Sequence, residues 1–192
     1  MAEIKKLFAQ VFNKNVPLSP RVLDMIFSLF NIYTIEKGNE IVSQGRINSK
    51  EYFLLSGFLH EFTCDEKGNE TTLDFYPAQS TIVPNFCRTI NNRSILTVQA
   101  LTKSIVAEID TTVFVNARNE YAELDKFSSS VIINLYRSKL QKQIFHATKS
   151  GKGKLEQLRK DFPGIENQIP LTYIASYLGI TNVSLSRLRN KK

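Results

Sequence analysis

The sequence predicts an α+β protein: a β-roll preceded by short helices, then a long helix, then a C-terminal helix-turn-helix without an obvious wing. Three observations predict it. Apolar residues alternate with period two between Ile32 and Ile109, and return to helical spacing from about Asn119. The chain then ends in two short apolar helical patterns joined by Gly179, within a basic segment.

The elements follow in order. Leu7, Val11 and Phe12 share one helical face, and Val22, Met25, Ile26 and Leu29 share another. Pro17 and Pro20 separate them, and Pro20 falls where a helix start tolerates proline. In the β region, Phe58, His60 and Phe62 alternate with Leu59 and Glu61, and Asp65-Glu66-Lys67-Gly68-Asn69 is a turn signal. Gly38, Gly45 and Gly57 punctuate other short strands, and 97–101 with 104–109 read as a closing pair. A helix over 119–147 would be about 40 Å long. Leu124, Phe127, Val131, Leu135 and Ile144 form its main stripe, with Ile132, Tyr136 and Leu140 beside it. That stripe suits pairing with a second copy, or packing on its own domain. Thr148 to Gly153 is a basic, flexible break, and a short helix follows from Lys154 to Phe162. The expected division is thus 1–118, 119–147 and 148–192.

Charge is uneven. From Arg137 to Lys192 there are 12 basic and 3 acidic residues, a net of +9, whereas the preceding 136 residues carry −2. A basic module on a near-neutral body points to a polyanion partner or to a solubilising surface. No stretch approaches the roughly 18 apolar residues of a membrane span. The start, MAEIKKLFAQVF, lacks the h-region of a signal peptide, so the chain reads as cytoplasmic with no membrane partner. Cys64 and Cys87 have no CxxC spacing, and His60 and His146 are the only histidines. No metal site is expected, and a metal-dependent barrel enzyme is disfavoured because it needs a His and carboxylate cluster.

The most informative segment is PLTYIASYLGITNVSLSRLRNKK. Ile174 and Leu178 line one helical face, and Ala175 permits a close crossing. Gly179 suits a left-handed helix end, and Thr181 suits the start of the next helix. Leu185 and Leu188 then face inward, leaving Asn182, Ser184, Ser186, Arg187 and Arg189 outward. Such a helix can read a major groove: Arg187 could donate two hydrogen bonds to guanine, and Asn182 could pair with adenine. A hairpin used only for packing is the competing reading.

Taken together, these segments resemble the Crp/Fnr superfamily of bacterial transcription regulators over nearly the whole length. EIVSQGRINSKEYFLLSGFLHEFTCDEKGNE is similar to its cyclic-nucleotide-binding-type roll, VQALTKSIVAEID to its closing strands, and IASYLGITNVSLSRLR to its helix-turn-helix. The resemblance implies a sensor roll over 1–118, a dimerisation helix over 119–147 and a DNA-binding region over 148–192. It implies double-stranded DNA, a second copy and RNA polymerase as partners, and no enzymatic activity. Thr181 and Ser184 match phosphate-holding positions, and Asn182, Val183 and Arg187 match base-reading ones. Ser186, Arg189 and Lys191 complete the expected DNA-binding set. The family's β-hairpin wing has no counterpart after Lys192.

The sensor half departs from the family's pattern. Cyclic-AMP binders carry Gly-Glu and, about ten residues later, Arg-Ser. In PAQSTIVPNFCRTINNRSIL, Arg93 and Ser94 match the second pair, but Ile82 and Val83 stand at the first. The purine-contacting hydroxyls fall at Gln143 and Ile144. Valine cannot accept a ribose hydroxyl, and isoleucine obstructs the backbone approach that glycine allows. Cyclic AMP is therefore disfavoured and no cofactor is expected. Arg93 stands either as ligand to another small anion or as a solvated loop residue. The oxygen sensors' N-terminal cysteines are absent. The leading function is a transcription regulator with a degenerate nucleotide pocket. The alternative is a ligand-sensing or interaction module that no longer reads DNA specifically.

Overall fold

A computed structural model describes residues 2–190. Helices α1 (Ala2–Asn13) and α2 (Pro20–Leu29) lead into strands β1 (Asn31–Ile35), β2 (Glu40–Val42), β3 (Lys50–Ser56), β4 (Phe58–Cys64), β5 (Glu70–Pro77) and β6 (Ser80–Thr81). A single helical turn, α3 (Asn85–Arg88), precedes β7 (Thr89–Ile90), β8 (Arg93–Ser94), β9 (Thr97–Ala100) and β10 (Ser104–Asp110). Then come α4 (Thr111–Glu120), α5 (Ala122–Thr148), α6 (Gly151–Asp161), a 3-10 turn (Ile165–Asn167), α7 (Leu171–Leu178) and α8 (Asn182–Asn190). The α+β class is as expected.

By contacts the chain forms two compact units, residues 1–61 with 75–135, and residues 62–74 with 136–192. These boundaries differ from the expected 1–118, 119–147 and 148–192. The outer part of the β4–β5 hairpin belongs to the second unit, and the helix of that middle region is shared.

The roll consists of two four-stranded sheets, ordered β1-β10-β3-β6 and β2-β9-β4-β5. The expected closing pair is corrected here: β9 pairs with β2, and β10 with β1 and β3. The turn at 101–103 is a crossover between sheets, not a hairpin within one. At the β3–β4 turn Gly57 has φ +96°, and a Cβ there would lie 2.1 Å from the Ser104 hydroxyl. Only glycine lets the two segments approach so closely. At 65–69 the expected turn forms, with the Asp65 carboxylate accepting from the Lys67 and Asn69 amides at 2.9 Å.

Alternation along β3 separates two cores. Phe53 and Leu55 join α1, α2, α4 and α5 in an outer core, while Tyr52 and Leu54 join Val42, Leu59, Val98 and Val106 inside the roll. The outer core is aromatic: Phe12 lies 4.4 Å from Phe127 and 5.4 Å from Phe53 by ring centroids. Such stacked and tilted contacts add to simple area burial.

The long helix differs from expectation. Tyr121 is extended (φ −119°, ψ 105°), so α5 starts at Ala122 and α4 is a separate helix. Leu124, Phe127 and Val131 are buried in the outer core, and Leu135 packs against the roll interior. The predicted seam is therefore mostly intramolecular. The exposed large apolar residues of α5 are Ile133, Tyr136, Leu140 and Ile144.

In the second unit, α6, α7 and α8 pack together around Leu155, Leu158, Ile174, Leu178 and Leu185. The break before α6 is shorter than the expected 148–153. Only Lys149 and Ser150 are non-helical, and the Ser150 hydroxyl accepts from the Gly153 amide as an N-cap. The hairpin segment joins this unit through the Thr72 amide, which donates to the Ser176 hydroxyl at 2.9 Å, and through an Asp74–Lys142 ion pair. No helix among the described residues is long and apolar enough to cross a membrane.

Candidate nucleic-acid interface

Local chemistry sets the α7–α8 corner. Gly179 is left-handed (φ 66°, ψ 36°), and the Ile180 amide donates to the Ala175 carbonyl at 3.0 Å, closing α7. The Thr181 hydroxyl accepts from the Ser184 amide at 3.1 Å and lies 2.9 Å from the Ser184 hydroxyl. This is the expected N-cap of α8, and it leaves Ser184 half-buried and tied to Thr181. Leu185 is buried and Leu188 half-buried, as the spacing predicts. Gly151 lets the start of α6 come close, since a Cβ there would be 3.2 Å from Leu188.

Asn182, Val183, Ser186 and Arg187 share the exposed side of α8 with Thr181. Val183 is 60% exposed. Arg189 is exposed too, but its Nε donates to Glu166 at 2.9 Å. Glu166 also accepts two hydrogen bonds from Arg159, at 2.6 and 3.1 Å. The Arg159 guanidinium, with Arg189 behind it, holds the Glu166 carboxyl below its ordinary pKa. This clamp joins α6, the 3-10 turn and α8. Sequence reading did not find it. The available signal was one of only three acids in a strongly basic segment. Lys191 lies outside the described residues.

In the roll, Arg93 and Ser94 do not converge on a pocket. Arg93 is exposed and donates to the Gly45 carbonyl at 2.9 Å, whereas Ser94 is buried and donates to the Leu96 carbonyl. They sit on β8, which Asn91 and Asn92 connect to β7 with φ values of 52° and 61°. Such paired left-handed residues make a tight hairpin turn. Ile82 and Val83 are buried in the roll's core. Gln143 and Ile144 lie in the second unit, on the later half of α5.

The buried cation is Arg88, which is fully enclosed. It donates to the Val83 carbonyl and the Asn48 side chain, each at 2.7 Å, and to the Lys50 carbonyl. Burial lowers the Arg88 pKa, and Glu51 at 3.9 Å opposes that shift. Burial likewise raises the Glu51 pKa, against the Asn85 amide and Arg88. Three internal acceptors thus occupy the two terminal nitrogens of the guanidinium, and its Nε is buried without a hydrogen-bond partner.

No protein-family model and no curated sequence matches the chain. Solved structures do. FixK2 from Bradyrhizobium japonicum superposes with a TM-score of 0.71 at 13% identity, covering 84% of this chain and 83% of that one. The c-di-GMP responsive global regulator CLP of Xanthomonas campestris gives 0.71 at 12% identity, covering 90% and 91%. The Thermus thermophilus catabolite activator protein gives 0.56 at 17% identity, covering 94% and 84%. At these identities the likeness is one of fold. The chain shares the fold of these solved structures.

Proposed function

We propose that the chain is a dimeric, DNA-binding transcription regulator of the Crp/Fnr type whose roll no longer takes a cyclic nucleotide. The observation that carries this reading is α8. A Thr181-capped helix presents Asn182, Val183, Ser186 and Arg187 to solvent on a segment of net charge +9. Its first turn enters the major groove, with Arg187 on guanine, Asn182 on adenine and Val183 against a thymine methyl. Thr181, Ser184 and Lys191 hold phosphates. Arg189 stays at the edge of this face, held by Glu166. A second copy joins through the exposed stripe of α5, which suits paired half-sites about 34 Å apart.

The test is selection from random duplexes, followed by titration of the selected site at several salt concentrations. Arg187→Ala should cost about 1–3 kcal/mol and relax the preference at one base pair. Lys191→Ala should weaken all duplexes evenly and flatten the salt slope. Equal, sequence-independent losses from both would replace this reading with a basic interaction module.

A further inference from the structure

The outer aromatic core is not closed. Between β3, α4 and α5 lies a cavity of about 140 Å³, walled by Phe53, Phe86, Phe114, Phe127 and Val131. It lies mostly on the helix-facing side of β3, where Phe53 points into the outer core, and Tyr52 of the inner core also lines it. Phe86 and Val115, 58% and 39% exposed, form its rim. An apolar cavity of this size has room for a benzene-sized body.

Its polar lining is unusual. Thr81 Oγ1, Thr111 Oγ1 and Arg118 Nε are buried without a protein hydrogen-bond partner, and all three residues line this one cavity. Buried polar atoms are otherwise almost always paired. Each of the three can donate, and Arg118 adds a positive charge. Its Nη2 is held by Asp125 at 2.9 Å, which leaves Nε. Glu51 also lines the cavity; its carboxylate accepts from the Asn85 amide at 2.9 Å and feels the charges of both Arg88 and Arg118. A ring flanked by two hydroxyl donors and a guanidinium N–H matches an aryl group bearing a carboxylate.

We propose that this cavity binds a small aromatic carboxylic acid, with its ring among the phenylalanines and its carboxylate on Arg118, Thr81 and Thr111. The inference goes beyond the DNA-binding reading and does not depend on it.

Isothermal titration of the full chain with phenylacetate and phenylacetamide tests it without DNA. Phenylacetate should bind once per chain, and the uncharged amide about 10- to 100-fold more weakly. Arg118→Gln should weaken phenylacetate by a similar factor and leave the amide unchanged. Val115→Phe at the rim should block both. Thermal unfolding without ligand checks that each variant folds. Should Arg118→Gln fail to fold, Thr111→Val replaces it, with the same direction expected. Absence of phenylacetate binding at millimolar concentration would overturn the proposal. So would equal binding of acid and amide, or binding that Arg118→Gln and Thr111→Val leave intact.

Discussion

At the residue scale, the decisive groups are charged side chains that draw partners from more than one element. Arg88 gives its two terminal nitrogens to Val83, Asn48 and Lys50 and keeps a buried Nε without a hydrogen-bond partner, so it acts as a structural strut through the terminal pair. Removing such a buried charge from its partners is costly in either direction. Glu166 is the counterpart in the second unit, where it receives Arg159 and Arg189. Its carboxyl is held below the unfolded value of about 4.3, so its charge stabilises the fold fully above that pH. The contribution is lost as pH falls through the lower, folded-state pKa. Glu166→Gln should therefore cost about 1 kcal/mol at pH 7 and progressively less below about pH 4. Urea unfolding of both proteins at pH 7 and pH 3 checks this. A gap that persists undiminished at pH 3 would show that Glu166 acts through its hydrogen bonds and packing alone.

At the element scale, α5 has two different faces. Leu124, Phe127 and Val131 hold it to its own unit, and Ile133, Tyr136, Leu140 and Ile144 remain uncovered on the single chain. Burying that second stripe against another copy would remove four large apolar side chains from water. Ile133→Glu with Leu140→Glu should therefore give a folded monomer, because the charges fall on solvent in the monomer but inside the seam of a dimer. Val131→Glu should instead unfold the first unit, since an unpaired charge would enter its core. Sedimentation velocity reads the first outcome and circular dichroism the second. A dimer that survives the double substitution places the interface elsewhere.

At the scale of the whole molecule, the proposed loss of nucleotide binding rests on how the interior of the roll is packed. Ile82 and Val83 are 1% and 6% exposed, and they share one core with Leu54, Leu59, Val98 and Val106. Arg93 faces outward and Arg88 is engaged. Losing the ribose acceptor and the backbone approach to phosphate costs about 1.5–3 kcal/mol each, a factor of roughly 10² to 10⁴ in affinity. Calorimetry with cyclic AMP and cyclic GMP should show no binding below millimolar concentration, and Arg93→Ala should change nothing. Low-micromolar binding that Arg93→Ala abolishes would mean that the roll opens to a nucleotide.

What the sequence by itself determined is local in origin. The left-handed Gly179, the Thr181 cap, the inward Leu185, the Asp65 turn and the Pro20 start are each settled within a few residues by backbone sterics and short-range hydrogen bonds. That is why the helix-turn-helix was legible residue by residue. The tertiary structure decided what depends on partners distant in sequence. An alternating strand says which side chains share a face, but not which strand lies beside it, so β9 joined β2 rather than β10. An apolar stripe says that a helix face is covered, but not by what, and Val131 joined Phe53 and Phe12 in the core of its own unit. An arginine's spacing says nothing of the carbonyls that will enclose it. Arg88 and Glu166 therefore took roles that only the folded arrangement assigns, because charge and hydrogen-bond satisfaction inside a protein are fixed by three-dimensional proximity.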